Sequence, residues 1–147
     1  MKWFACIAWV CLLGSQTADA GIRIPYSDVF SRYSGSITRI TVCGNRGQDA
    51  LFGRYRVIEL YMQGQSFLYI DKVKLNASET EFDVIKGITI EEFDDNHVDI
   101  ELSGLACQRT RMGISITAKA WDAHDDSSRQ VRIVLRESDD RYVIHGF

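Results

Sequence analysis

From Ser36 onward, Val, Ile, Thr, Tyr and Phe recur with a period of two, between short clusters of Gly, Asn, Asp and Ser. Successive side chains of a strand point to opposite faces, so this period calls for β-structure rather than a helical bundle. The pattern predicts strands over Ser36–Cys43, Arg54–Met62, Ser66–Leu75, Glu81–Phe93, Val98–Ser103, Cys107–Trp121, Gln130–Glu137 and Arg141–Phe147. Most connections are short, so neighbours in sequence are expected to pair antiparallel. One short helix is expected ahead of them, over Ser27–Tyr33, with Ser27 as N-cap, Asp28 in the first turn and Gly35 past its end. The fold class that follows is all-β: a single antiparallel meander of about eight strands, barrel or sandwich, with a short N-terminal helix. The alternative is α+β, one helix on a curved antiparallel sheet.

Turn chemistry sets register. A two-residue Gln63-Gly64 turn pairs Met62 with Gln65, Leu60 with Phe67, Ile58 with Tyr69 and Arg56 with Asp71. The other face then brings Val57 to Ile70 and Tyr55 to Lys72. Both faces are half apolar, so this hairpin is expected to be central or covered on each side. Tyr55, Tyr61, Phe67 and Tyr69 lie across it and are read as core. In the next pair, aligned apolar faces set Ile90 opposite Ile100 and Ile88 opposite Leu102. That register also sets Glu91 opposite Asp99 and Thr89 opposite Glu101, with Glu81 and Asp83 on the same face. Like charges directly opposite destabilise a sheet, so something must offset them: water and salt, neighbouring arginines, a cation or a protein partner. Further on, Met112, Ile114, Ile116, Ala118 and Ala120 form an inward row, and Arg111, Ser115, Thr117 and Lys119 an outward one. Val131, Ile133 and Leu135 continue the core, with Leu135 opposite Ile144.

Met1–Ala20 has the layout of a secretory signal peptide: Lys2, an apolar run from Trp3 to Leu13, and Ala18-Asp19-Ala20 as a small-x-small cleavage site. The run is too short to span a bilayer. Residues 21–147 are then a single β-rich domain, secreted or periplasmic. Cys6 and Cys11 leave with the leader. Cys43 and Cys107 remain, and an even pair in an oxidising compartment reads as one disulfide.

Charge is unevenly spread. Residues 21–74 hold eight bases against four acids, whereas residues 79–101 hold nine acids against Lys86. Such a block argues against nucleic acid as partner and for a basic protein. No membrane span is expected in the domain.

Few residues carry a chemical signature. Asp122, His124 and Asp126 alternate, so an extended loop would aim them together at a metal. They match no calcium-loop spacing and lack the cysteine or second histidine of a tight zinc site, so the loop reads as a solvated turn. Asp94-Asp95-Asn96-His97 and Gly44-Asn45-Arg46-Gly47 read as turns too. Asn76-Ala77-Ser78 has the form of an N-glycosylation acceptor, which acts only in a eukaryotic secretory pathway, and reads otherwise as a surface turn. No serine sits in a nucleophile elbow, and no catalytic residue or cofactor is assigned. The expectation is an exported non-enzymatic binding protein, of the inhibitor or immunity type. Its acidic face at Glu81, Asp83, Glu91, Asp99 and Glu101 would mask a cationic partner. A carrier of a small apolar ligand inside a barrel is the alternative, and a hydrolase the weakest reading.

Overall fold

The hairpin around Gln63-Gly64 folds in the register its sequence sets, with Leu60 opposite Phe67, Ile58 opposite Tyr69 and Val57 opposite Ile70. It forms the middle of the first of two sheets. A computed structural model describes residues 23–44, 54–78, 81–94 and 99–147. The expected leader at Met1–Ala20, Asn45 to Gly47 of the first turn, and Asp95 to His97 lie outside the described residues.

Eight strands are described: β1 Ile37–Cys43, β2 Arg54–Met62, β3 Gln65–Leu75, β4 Phe82–Thr89, β5 Ile100–Thr110, β6 Gly113–Asp122, β7 Ser127–Arg136 and β8 Tyr142–His145. All pairing is antiparallel. The first four make one sheet in the order β1-β2-β3-β4, and the last four a second in the order β5-β6-β7-β8. The architecture is therefore a sandwich rather than a closed barrel. Among the described residues, no helix is long and apolar enough to cross a membrane.

Between the sheets lies the larger core. Tyr55, Val57, Leu68 and Ile70 face Ile114, Ile116, Ala118, Ile133 and Leu135. The disulfide Cys43–Cys107 joins β1 to β5 across this core, with Cα atoms 5.0 Å apart. It closes 64 residues of chain, and restricting so long a loop in the unfolded state stabilises the fold by about 4 kcal/mol. Asp140, at the β7–β8 turn, holds Lys72 of β3 at 3.3 Å and Lys86 of β4 at 3.0 Å, a second tie between the sheets.

The outer face of the first sheet is covered as well. Ile24 and Val29, with Tyr26, Tyr33 and Ile37 beside them, pack on Ile58, Leu60, Phe67 and Tyr69. The helix here, α1, spans only Tyr26–Val29, with Pro25 as N-cap instead of Ser27. Pro25 has no N–H to leave unsatisfied at a helix start. Gly35 falls inside a separate 3-10 turn, Ser34–Ser36. The Tyr69 hydroxyl donates to the Ile24 carbonyl at 2.9 Å and pins the covering segment down. Deeper, Asp71 is fully buried; it accepts from the Tyr26 hydroxyl and from Arg56 Nη2.

Three expectations are corrected. First, β4 and β5 do not pair, because β4 is the edge of one sheet and β5 of the other. Ile88, Ile90, Ile100 and Leu102 all enter the inter-sheet core, where no like-charged partners need to meet. Second, the hairpin between β5 and β6 falls at Arg111-Met112, not at Ser103-Gly104. Gly104, at φ 62°, lies in a bulge that lets β5 run on to Thr110. Arg111-Met112 lacks the glycine or asparagine that marks most tight hairpins, so the sequence reads through it. Met112 is consequently 66 % exposed, not core. Ser115, expected on the outward row, is buried, and its hydroxyl accepts from Arg132 Nε at 3.0 Å. Third, Ile133 rather than Leu135 opposes Ile144. A two-residue turn at Asp139-Asp140 would have set the other register. Instead Arg136 N donates to the Arg141 carbonyl, and Asp139 bonds both Arg136 Nη2 and Arg141 N, which closes a four-residue loop.

Candidate functional site

Glu59 lies on the apolar face of β2, in line with Val57 and opposite Leu68. It is only 6 % exposed. Three contacts make the position tenable. The Ser66 hydroxyl donates to Glu59 Oε1 at 3.1 Å. Arg39 Nε stands 3.9 Å from Glu59 Oε2. A register shift in β1 between Ile37 and Arg39 places Thr38 so that its hydroxyl donates to the Glu59 carbonyl at 3.2 Å. Burial pushes the Glu59 carboxyl above its ordinary range; Ser66 and Arg39 oppose the rise, and nearby Glu101 adds to it.

Ser66 also links the two sheets. Its oxygen accepts from the Leu102 amide of β5 at 3.0 Å. That bond holds the start of β5 against the first sheet and brings Glu101 beside Glu59. Here the sandwich opens into a pocket of about 390 Å³ lined by Thr38, Arg39, Glu59, Tyr61, Glu101, Leu102 and Ser103. Two carboxylates face one guanidinium in it. Glu101 is exposed, and among the described residues no cation is bonded to it. A pocket with a few convergent polar groups and a perturbed carboxyl has the features of a binding site. Its charge and hydroxyl content suit an amine or a guanidinium.

The acidic residues singled out in the sequence do not share one sheet face. Glu101 lines the pocket, and Asp99, just before β5, stands 3.5 Å from His124 Nε2. Glu81 and Asp83 are exposed at the start of β4, at the far end of the first sheet. Glu91 sits in the 3-10 turn Glu91–Phe93 after β4, where its amide donates to the Tyr142 hydroxyl. The Asp122–Asp126 segment is a tight turn rather than an extended loop. Asp122 pairs with Arg129 at 2.9 Å and accepts from the His124 amide, while Asp126 accepts from Trp121 Nε1. Among the described residues, no three such side chains gather to hold a metal. Of the aromatic row, Tyr55, Phe67 and Tyr69 are core, and Tyr61 lines the pocket.

Glu59, Arg39 and Ser66 escape a reading of the sequence by motif. The hairpin register carried the signal: it set a carboxylate opposite Leu68, on the face of Val57 and Ile70. Compared with protein-family models, with curated proteins and with solved structures, the chain gives no match.

Proposed function

We propose that the chain is an exported, non-enzymatic binding protein that takes a basic group of a protein partner into the Glu59–Glu101 pocket. One observation carries the reading: two carboxylates and one guanidinium line the pocket, so among the described residues one negative charge is left unmatched, at exposed Glu101. A lysine or arginine side chain entering there pairs with Glu101 and finds hydroxyls at Thr38, Tyr61 and Ser103. Complementary charge speeds encounter, and the pocket walls give selectivity. Relative to the face expected from the sequence, the site keeps Glu101 and adds Glu59, and sets Glu81, Asp83, Glu91 and Asp99 aside. The test is an NMR titration with N-acetyl-arginine amide. Saturable shifts confined to the amides of Thr38, Tyr61, Glu101 and Ser103, weakened by salt and lost in Glu101→Gln, support the reading. Shifts that are absent, or that persist in Glu101→Gln, overturn it.

A second reading rests on the unequal burial of the two carboxyls. A buried acid beside an exposed carboxylate is the pairing hydrolases use for proton transfer. Glu59→Gln separates the two readings: a binding pocket retains the arginine ligand, whereas a hydrolase loses turnover.

A further inference from the structure

Asn76-Ala77-Ser78 follows directly on β3, at the end of the hairpin that leads into β4. The Asn76 amide donates to the Glu81 carbonyl at 2.8 Å, and the Ser78 hydroxyl to Asn76 Oδ1 at 3.0 Å. Ala77 and Ser78 are exposed. Beside this turn runs β4, the edge of the first sheet, with Leu75 opposite Phe82 and Val73 opposite Val84. Its exposed apolar side chains are Phe82, Val84 and Ile85, the last 57 % exposed. An open edge with apolar side chains is a template for pairing with a second chain, and soluble proteins usually blunt such edges. Lys86 and the neighbouring acids do part of this work; the sequon lies where a glycan would do the rest.

We propose that Asn76 is an N-glycosylation site and that its glycan stands over the β4 edge. The proposal rests on export through a eukaryotic secretory pathway, and not on the binding pocket. In that compartment the co-reactant is an oligosaccharide carried on a lipid diphosphate. Asn76 Nδ2 bonds to the anomeric carbon, the bond from that carbon to the diphosphate oxygen breaks, the lipid diphosphate leaves and Nδ2 gives up one proton. Transfer requires only the Asn-x-Ser sequence in an accessible chain. The folded hairpin must then leave the sugar outside: Asn76 is half-buried, and Ala77 and Ser78 beside it are exposed. The pocket stays clear of it. Ser66 is the second residue of β3 and Leu75 its last, and nine residues at the rise of a strand place them roughly 30 Å apart.

The test is secretion of the full chain from insect cells, followed by intact-mass measurement. The expected result is one glycan increment, removed by peptide-N-glycosidase with conversion of Asn76 to Asp. It should be absent in Asn76→Gln and Ser78→Ala and retained in Ser78→Thr. A secreted chain at its unmodified mass, or a chain that never enters the secretory lumen, overturns the proposal. Shielding has its own readout. Enzymatically stripped protein should self-associate several-fold more than glycosylated protein in sedimentation, and Ile85→Lys should reverse this. Equal monodispersity of the stripped and glycosylated forms overturns the shielding role. Because the pocket lies at the other end of β3, arginine binding should be unchanged by glycosylation, so failure here leaves the reading of the pocket standing.

Discussion

The ring of Tyr26 rests directly on the backbone of Gly87, so closely that a Cβ placed there would lie 2.2 Å from Tyr26 Cδ1. Gly87 pairs with Asp71 in the sheet, and Asp71 accepts the Tyr26 hydroxyl. The missing side chain on β4 is thus what lets the covering segment reach the buried carboxylate on β3.

Gly87→Ala should therefore destabilise by overpacking, by about 1–3 kcal/mol. The ring has backbone beneath it, so the relief available is to lift the covering segment. Urea unfolding should give the loss of stability. Limited proteolysis should show earlier cleavage around Arg23 and Arg32 in the variant. Wild-type stability with unchanged cleavage would refute the contact.

Removing Asp71 should cost more than removing its phenol partner. Asp71→Ala leaves Arg56 without its anion, a change worth about 3–5 kcal/mol when a buried pair is broken. Tyr26→Phe removes one hydrogen bond to a charged group, about 1.5–3 kcal/mol. Burial first, and Asp71 second, hold the Tyr26 hydroxyl well above the ordinary tyrosine range, so it stays protonated and donates at any working pH. Denaturant titration of the two variants checks the order.

Glu59 gives a pH dependence whose sign is fixed. Its carboxyl is raised above the glutamate value of 4.5 in the fold. The native state then holds the proton more tightly than the unfolded state, so this residue's contribution falls as pH rises from about 4.5 through the raised value. Glu59→Gln keeps an acceptor for the Ser66 hydroxyl but cannot ionise. It should be more stable than wild type at neutral pH, and the gap should close below about pH 4. Thermal unfolding across that range measures it. A gap independent of pH would mean that Glu59 is not raised.

Ile116 probes whether the space between the sheets is filled. It packs with Ile133, Leu135 and Ala118 in the core, so Ile116→Ala should leave a void and cost about 2–5 kcal/mol. A chain hollow enough to carry an apolar ligand would lose little and would change its ligand affinity instead. Chemical denaturation, with mass spectrometry of any copurifying lipid, separates the outcomes.

Register was legible at the turn between β2 and β3, and not at Ser103-Gly104 or Asp139-Asp140. Gln63-Gly64 has positive φ at both residues, 53° and 88°, and the hairpin it closes matches the sequence at each pair worked out. Where glycine sat beside the turn rather than in it, the reading failed. Gly113, at φ 148°, is needed because a Cβ there would meet the Leu135 carbonyl at 2.0 Å, a contact set by a strand twenty residues on. The choice between pairing β4 with β5 and sending them to different sheets also lies beyond local pattern. Ile88, Ile90, Ile100 and Leu102 are equally apolar in either arrangement, and only packing against the other sheet decides. For the same reason the pocket stayed hidden. Glu59 and Glu101 are 42 residues apart in sequence, and the Ser66–Leu102 bond that joins their strands has no sequence signature.

Each sheet is made from one uninterrupted half of the described chain, and this bears on synthesis. Domains fold from the N-terminus as they emerge. The first half to appear, residues 23–89, can complete all its own strand ladders and lay its leading segment over one apolar face before any of β5 exists. One broad apolar face then remains uncovered, the one bearing Tyr55, Val57, Leu68 and Ile70. Its vulnerable period is a wait of about fifty residues for the second half to dock. Cys43 waits on that same side for Cys107, so the covalent clasp can close only once the late half has arrived.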